Sequence, residues 1–74
     1  MSKADKMFKK LGYELFVDKN DFKIYRHCEV NLDISFELNF KQFLKLWNDR
    51  MSPITVDEHL AIHEKMKELG WLDA

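Results

Sequence analysis

The clearest pattern in the chain is a strict alternation of apolar and polar residues between positions 30 and 38. The apolar members are Val30, Leu32, Ile34, Phe36 and Leu38, and the residues between them are polar or acidic. Successive side chains of a β-strand point to opposite faces of a sheet. This period of two therefore predicts a strand with one buried face and one wet, acidic face.

Two shorter apolar segments precede this strand, at residues 13–17 and 22–27, and Asp-Lys-Asn-Asp lies between them. Asn and Asp tolerate left-handed backbone and hydrogen-bond their own main chain, so residues 18–21 are predicted to form a turn. The pattern predicts a hairpin followed by a third strand, which together make an antiparallel sheet.

The beginning of the chain has a helical pattern instead, because apolar side chains recur at positions 4, 7, 8 and 11. Ser2 is the predicted N-cap, and Asp5 occupies the capping-box position. Gly12 is predicted to end the helix, because glycine adopts left-handed backbone without steric cost. Tyr13 would then pack back on Phe8.

The end of the chain repeats this arrangement. Thr55 is the predicted N-cap of a second helix, and Glu58 completes the capping-box pattern T-x-x-E. This helix is predicted to run to position 69 and to end at Gly70, with Trp71 reaching back towards Met66.

The segment 40–50 fits two structures. Its apolar residues at positions 40, 43, 44 and 47 form a helical stripe behind a cap at Asn39, whereas residues 42–47 also fit a fourth strand paired with the third. The pattern alone leaves both structures open. Residues 48–53 are predicted to be a connecting loop, because proline at position 53 disfavours helix at the residue before it.

Composition and charge narrow the class of protein. The chain has 74 residues, and 12 Lys plus Arg against 13 Asp plus Glu give a net charge of −1 with neutral histidines. Proteins that bind nucleic acid by bulk electrostatics carry a marked positive excess, so the charge disfavours that function. A hydrophobic fraction of 46% is that of a folding chain, and the length predicts one domain over residues 1–74.

Cysteine use and hydropathy bear on the compartment. Cys28 is the only cysteine, which excludes a secreted scaffold held by internal disulfides. No uninterrupted apolar stretch is longer than the three residues at 15–17, far shorter than a membrane span or the core of a signal peptide. The sequence therefore predicts a cytoplasmic protein without a membrane segment.

His59 and His63 are the first candidate for chemistry, because they lie one helical turn apart, as metal-binding pairs do. Leu60 stands where the zinc-protease pattern requires glutamate, and the spacing supplies no third ligand. Both histidines are therefore predicted to pack at the edge of the core, and no metal site is predicted.

Two further groups of residues lack the geometry of a catalytic site. Cys28 lies at or just past the end of the second predicted strand, beside His27, and neighbours on a strand point to opposite faces, so a nucleophilic dyad would need a tight turn there. Glu29, Asp33 and Glu37 share one face, but a four-residue step along a strand separates them by about 13 Å, too far for joint acid–base catalysis. The sequence predicts a protein that is not an enzyme and uses no cofactor.

The most distinctive predicted surface is aromatic. The sheet face beneath the helices is predicted to carry Leu15, Phe22, Ile24, Leu32, Ile34, Phe36, Leu44 and Leu46. The opposite face then receives the six predicted binding residues, which are Phe16, Tyr25, Phe43 and Trp47 with Lys23 and Lys45 among them.

Three interpretations of this aromatic face follow. Aromatic anchors with mixed charges at the edge are typical of a protein interface, either with another protein or with a second copy of the chain. Aromatic rings beside lysines also stack nucleobases in sheet-based RNA-binding proteins, but the acidic stripe of the third strand would repel phosphate. In the third interpretation the aromatic side chains simply shield one another from water.

The layout also resembles that of a group of known proteins. A helix ending in Leu-Gly-Tyr at 11–13, alternating strands, Pro-Ile-Thr at 53–55 and a helix ending in Glu-Leu-Gly-Trp at 68–71 resemble small uncharacterised proteins encoded by phages and prophages of Gram-positive bacteria. In such proteins the segment matching 42–47 is usually extended, so the resemblance implies a fourth strand. It also implies a phage accessory role, and it supplies no catalytic or binding residues.

The predicted fold is α+β and two-layered, ordered α-β-β-β-β-α, with an antiparallel sheet of three or four strands and both terminal helices on one face. The predicted function is that of a non-enzymatic, phage-related accessory protein that acts by protein–protein interaction or self-association through the aromatic face. A nucleic-acid-binding accessory protein is the alternative, and an enzyme comes third.

Overall fold

The alternating segments form one antiparallel sheet, and the two capped segments form helices that lie together on one of its faces. This confirms the predicted α+β fold. The computed structural model describes residues 1–72. In chain order the elements are α1 (Lys3–Lys10), β1 (Tyr13–Asp18), β2 (Phe22–His27), β3 (Leu32–Glu37), β4 (Gln42–Trp47), β5 (Arg50–Met51) and α2 (Val56–Glu68).

Both predicted caps of α1 are present. The Ser2 hydroxyl accepts a hydrogen bond of 3.1 Å from the amide of Asp5, and Gly12 ends the helix with φ of 93°. A Cβ at this glycine would also collide with the ring of His27, so position 12 needs glycine for both its backbone and its neighbour. The Tyr13 ring packs edge-on against Phe8, with ring centroids 6.0 Å apart.

The predicted capping box of α2 is also confirmed. The Thr55 hydroxyl accepts a hydrogen bond from the Glu58 amide at 3.1 Å, and the Glu58 carboxylate accepts one from the Thr55 amide at 2.9 Å. Beyond Gly70, the amide of Trp71 donates to the carbonyl of Met66 at 2.9 Å. This bond satisfies a carbonyl that the end of the helix leaves without an intrahelical partner.

The ambiguous segment is a strand, since residues 42–47 form β4 and pair with β3 along its full length. The prediction of a loop over 48–53 is wrong in part. Asn48 and Asp49 have φ of 51° and 63°, and this two-residue turn returns the chain so that Arg50 pairs with Trp47. Successive left-handed residues are typical of tight hairpin turns, and Asn and Asp adopt that backbone more readily than most residues. The result is the short fifth strand.

The register of the sheet corrects the predicted faces. Tyr25 lies opposite Ile34, and Ile34 lies opposite Lys45, so these three side chains share one face. Ile34 belongs to the buried core beneath the helices, which places Tyr25 and Lys45 there too. The prediction that Phe22, Ile24, Leu44 and Leu46 lie beneath the helices is therefore wrong, because β2 and β4 each present the alternate set of residues.

An aromatic cluster joins the two layers. Phe8 of α1 is stacked on Tyr25 with ring centroids 4.1 Å apart, and it meets the rings of Tyr13 and Phe36 edge-on. Ala61 and Ile62 bring α2 into the same cluster. The core therefore rests on rings from α1 and from three of the strands, closed over by one side of α2.

Candidate binding surface

The structure does not bring the six predicted binding residues together on the uncovered side of the sheet. Tyr25 and Lys45 are buried beneath the helices. Lys23 of β2 and Phe43 of β4 pair with Phe36 of β3, and Trp47 pairs with Leu32. Residues that pair across strands share a face, so these three side chains also project towards the helix side. Only Phe16 projects from the uncovered side, where its ring lies against Arg26.

Phe43 and Trp47 keep substantial exposure because they lie on β4, towards one edge of the helix layer. The exposed fraction of Trp47 is 55%. Their predicted placement on the uncovered face is nevertheless wrong. The two β4 rings are separated from Phe16 by the thickness of the sheet, so they cannot form one surface with it.

Tyr25 is buried because a polar partner meets its hydroxyl. The hydroxyl donates a hydrogen bond to the carboxylate of Asp5 on α1, and Lys65 of α2 lies 3.7 Å from the same carboxylate. Burial, followed by the hydrogen bond to Asp5, raises the pKa of Tyr25. Glu68 completes the link by accepting a hydrogen bond of 2.9 Å from the amide of Ala4. These contacts join α1, β2 and α2.

A second buried polar cluster joins the sheet to the start of α2. The Glu58 carboxylate accepts hydrogen bonds from the Tyr13 hydroxyl and from Lys45 Nζ, each 2.7 Å long, and Lys45 Nζ also donates to the Pro53 carbonyl at 2.9 Å. Lys45 and Glu58 are only 7% and 6% exposed. Each charge has a partner of opposite sign at hydrogen-bond distance, which is what makes its burial tolerable.

The ionisation of this cluster follows from its contacts. Burial alone would raise the pKa of Glu58, but hydrogen bonds from Lys45, the Thr55 amide and Tyr13 outweigh it and hold the pKa below its ordinary value. Burial and the contact with Glu58 raise the pKa of Tyr13. The carboxylate is therefore charged and the phenol neutral at neutral pH, and the cluster serves as a cross-link between the layers.

Sequence reasoning missed this cluster although one signal was present. Glu58 was identified for its capping role, and the same carboxylate bonds Lys45 and Tyr13. An acidic residue that caps a helix and also lies on its inward side can pair with a lysine from the sheet beneath. No spacing rule, however, relates positions 45 and 58.

The uncovered side of the sheet, which we call the open face, has an uncharged band across four strands. Val17, Ile24, Ser35 and Leu44 lie opposite one another in consecutive strands and form this middle row. Above it, towards the β4–β5 turn, are Glu14, Arg26, Asp33, Leu46 and Met51, and below it are Phe22, Glu37 and Gln42. Among residues 1–72 both helices lie on the other side, so neither covers this band.

The side chains of the middle row differ in size, so the surface of the row is uneven. Ser35 is small and lies between the larger Ile24 and Leu44, so the centre of the face is recessed. A shallow depression of about 660 Å³ opens there and extends towards Phe22 and Gln42. Its walls are largely apolar, which suits an apolar side chain of a partner.

The charged part of the open face is largely paired within the chain. Arg26 makes two hydrogen bonds to Asp33, of 2.9 and 3.3 Å, and its guanidinium lies 4.0 Å from the centroid of the Phe16 ring. The carboxylate of Glu37 accepts hydrogen bonds from the amides of Asn39 and Phe40 in the following turn. The charges of Arg26, Asp33 and Glu37 therefore have partners within the chain, and none of these residues belongs to the middle row.

The remaining candidate residues are scattered. His59 and His63 are exposed, so the prediction that they pack at the core edge is wrong: the buried side of α2 consists of Glu58, Ala61, Ile62 and Lys65. Their ring centroids are 6.3 Å apart, and the described residues contain no group of three or more side chains able to hold a metal ion. Cys28 is exposed, while the neighbouring His27 ring packs edge-on against Tyr13.

Comparison of the chain with protein-family models, with curated proteins and with solved structures finds no match. Within residues 1–72, neither helix has the length and apolar character that crossing a membrane requires.

Proposed function

We propose that this chain is a non-enzymatic accessory protein that acts by binding a protein partner through the open face. The observation that carries the proposal is the middle row, where four consecutive strands present an uncharged band that neither helix covers. Apolar bands with a polar rim are typical of protein interfaces. The resemblance to phage-encoded proteins adds the expectation of an accessory role.

Charge favours protein over nucleic acid as the partner. The nucleic-acid alternative needed Lys23 and Lys45 on the binding face, but Lys45 is bonded to Glu58 and Lys23 is paired with Asp18. The open face itself carries Arg26, which is already paired with a carboxylate, and Lys19 lies at its lower edge over the Phe22 ring. Affinity for nucleic acid comes largely from cations that contact phosphates, so this face is a poor nucleic-acid surface.

The buried ionisable groups support binding rather than a reaction. Glu58 bonds both Lys45 and Tyr13, and Asp5 and Lys65 hold the second cluster around Tyr25. Each cluster links elements of the fold, which accounts for its burial without invoking a substrate.

The test compares two variants of matched exposure on opposite sides of the molecule. Leu44 lies in the middle row and is 39% exposed, and Leu60 lies on α2 and is 50% exposed. Tagged wild-type protein, Leu44→Glu and Leu60→Glu are used as baits in the native host, and each co-purifying protein is then made pure and titrated against the wild type by calorimetry.

We expect the partner to be lost with Leu44→Glu and kept with Leu60→Glu, because a carboxylate in the middle row must be desolvated on binding. Unchanged circular dichroism of both variants shows that the fold is intact. If every partner binds Leu44→Glu as well as it binds the wild type, the open face is not the binding surface and the proposal is wrong.

A further inference from the structure

We infer that the partner of the open face is a second copy of this chain, packed sheet against sheet around a twofold axis that runs parallel to the strands between β2 and β3. This inference rests on the proposed role of the open face and names its occupant. A twofold interface must be self-complementary, since each contact occurs twice. The register of the sheet allows that condition to be checked row by row.

The middle row is self-complementary in the size of its side chains. The axis places β2 over the partner's β3 and β1 over the partner's β4. Ile24 then faces the partner's Ser35, and Val17 faces the partner's Leu44. The recess over Ser35 receives the larger Ile24, and the same contact is repeated on the other side of the axis.

At the centre of the row above, the condition is met by charge. Arg26 faces the partner's Asp33, and Asp33 faces the partner's Arg26, so the pair within each chain becomes a ring of alternating charges across the axis. Complementary charges of this kind set the register and suppress wrong arrangements.

The other twofold arrangement, with its axis perpendicular to the strands along the middle row, is disfavoured. It would place the upper row over the partner's lower row, so that Asp33 faces the partner's Glu37. Two carboxylates would then oppose each other in the interface, which costs binding energy. The two carboxylates of β3 therefore favour the parallel axis.

The size of the face predicts a weak dimer. Four strands of six residues, spaced by about 4.8 Å with a rise of about 3.3 Å per residue, span about 20 by 20 Å in projection. Covering that area on both copies places the interface at the low end of the range for specific complexes. We expect a dissociation constant in the micromolar range or weaker, and thus a monomer–dimer equilibrium.

Sedimentation velocity of the full chain, from about 1 μM to about 1 mM, measures this equilibrium. The wild type should shift from monomer to dimer as concentration rises, and Leu60→Glu should follow the same curve. Leu44→Glu should stay monomeric, and Phe16→Glu, at an exposed position beside Arg26, gives a second disruption that leaves the core untouched.

Charge reversal tests the register itself. Arg26→Glu and Asp33→Lys should each dimerise at least tenfold more weakly than the wild type, because like charges then face each other across the axis. An equimolar mixture of the two variants should recover dimer, since each reversed charge meets its complement in the other chain. Mixing leaves the contacts within each chain unchanged, so recovery reports the contact between chains.

The outcomes separate this inference from the proposed function. A wild type that remains monomeric at the highest concentration overturns the inference, and the proposed function survives only if Leu44→Glu loses a purified heterologous partner. A dimer that Leu44→Glu leaves intact uses another surface, such as the edge strand β1, and also overturns the inference. A dimer lost in Leu44→Glu but not recovered by mixing rules out the parallel-axis register.

Discussion

The two sides of the sheet differ in how they treat polar groups. On the side that the helices cover, tyrosine hydroxyls, a lysine and carboxylates are buried, and each has a hydrogen-bond partner. The middle row of the open face is uncharged, and within residues 1–72 neither helix covers it. The covered side thus contains Tyr25 of β2 and Lys45 of β4, and the open face contains Ile24 and Leu44. Burial here follows from the availability of partners as much as from hydrophobicity.

Tyr25 and Ile24 show why. Both are adjacent on β2, and either could in principle face the helices. Tyr25 offers a ring for Phe8 to stack on and a hydroxyl that reaches Asp5, so it combines apolar contact with a specific hydrogen bond. Ile24 contributes apolar contact alone, and its side chain lies on the open face.

The largest expected difference between the two sides is in the free energy of unfolding. Phe8→Ala removes a fully buried ring that touches three other rings, and we expect it to lower stability by about 3–5 kcal/mol. Phe16→Ala removes an exposed ring of the open face and should cost less than about 1 kcal/mol. Urea denaturation followed by circular dichroism measures both, and equal losses would contradict the division into a covered and an open side.

A smaller difference is expected between two lysines. Lys45→Met leaves the buried Glu58 carboxylate without its cation, and breaking a buried pair in this way costs about 3 kcal/mol or more. Lys23→Met breaks the pair with the largely exposed Asp18 and should cost much less, because water screens an exposed ion pair. Denaturation at pH 7 measures both, and a Lys45→Met variant as stable as Lys23→Met would show that the buried cluster is not a cross-link.

Sequence patterns predicted the helices, their caps and the fold class, because each depends on residues close together in the chain. Thr55 and Glu58 are three residues apart, and Gly12 follows α1 directly. The strand at 42–47 was left open by the pattern and implied by the resemblance.

The faces of β2 and β4 could not be predicted because both strands have apolar residues at odd and at even positions. In β4, one set is Phe43, Lys45 and Trp47, and the other includes Leu44 and Leu46. Hydrophobicity favours the second set for burial, but Glu58 from the far end of the chain stabilises Lys45 on the covered side. A shift of one residue turns every side chain of a strand to the other face of the sheet. Because the faces of both β2 and β4 were predicted the wrong way round, most of the predicted binding residues lie on the covered side.

An effect that is absent at neutral pH concerns the two tyrosines, Tyr13 and Tyr25, which both lie on the covered side. Burial, followed by hydrogen bonds to Glu58 and Asp5 respectively, raises the pKa of each above the ordinary value of 10.0. A group whose pKa is raised by folding stabilises the folded state below its unfolded pKa, and that stability is lost as the pH rises above it. We therefore expect a plateau of stability up to about pH 10 and unfolding at higher pH.

Phenolate absorbance near 295 nm and far-ultraviolet circular dichroism, recorded in one alkaline titration, measure this coupling. Both tyrosines should ionise together with the loss of structure, and Tyr25→Phe should remove half of the absorbance change. If either phenol ionises near pH 10 while the dichroism is unchanged, its hydroxyl is open to solvent, and the covered side lacks the buried hydrogen bond that distinguishes it from the open face.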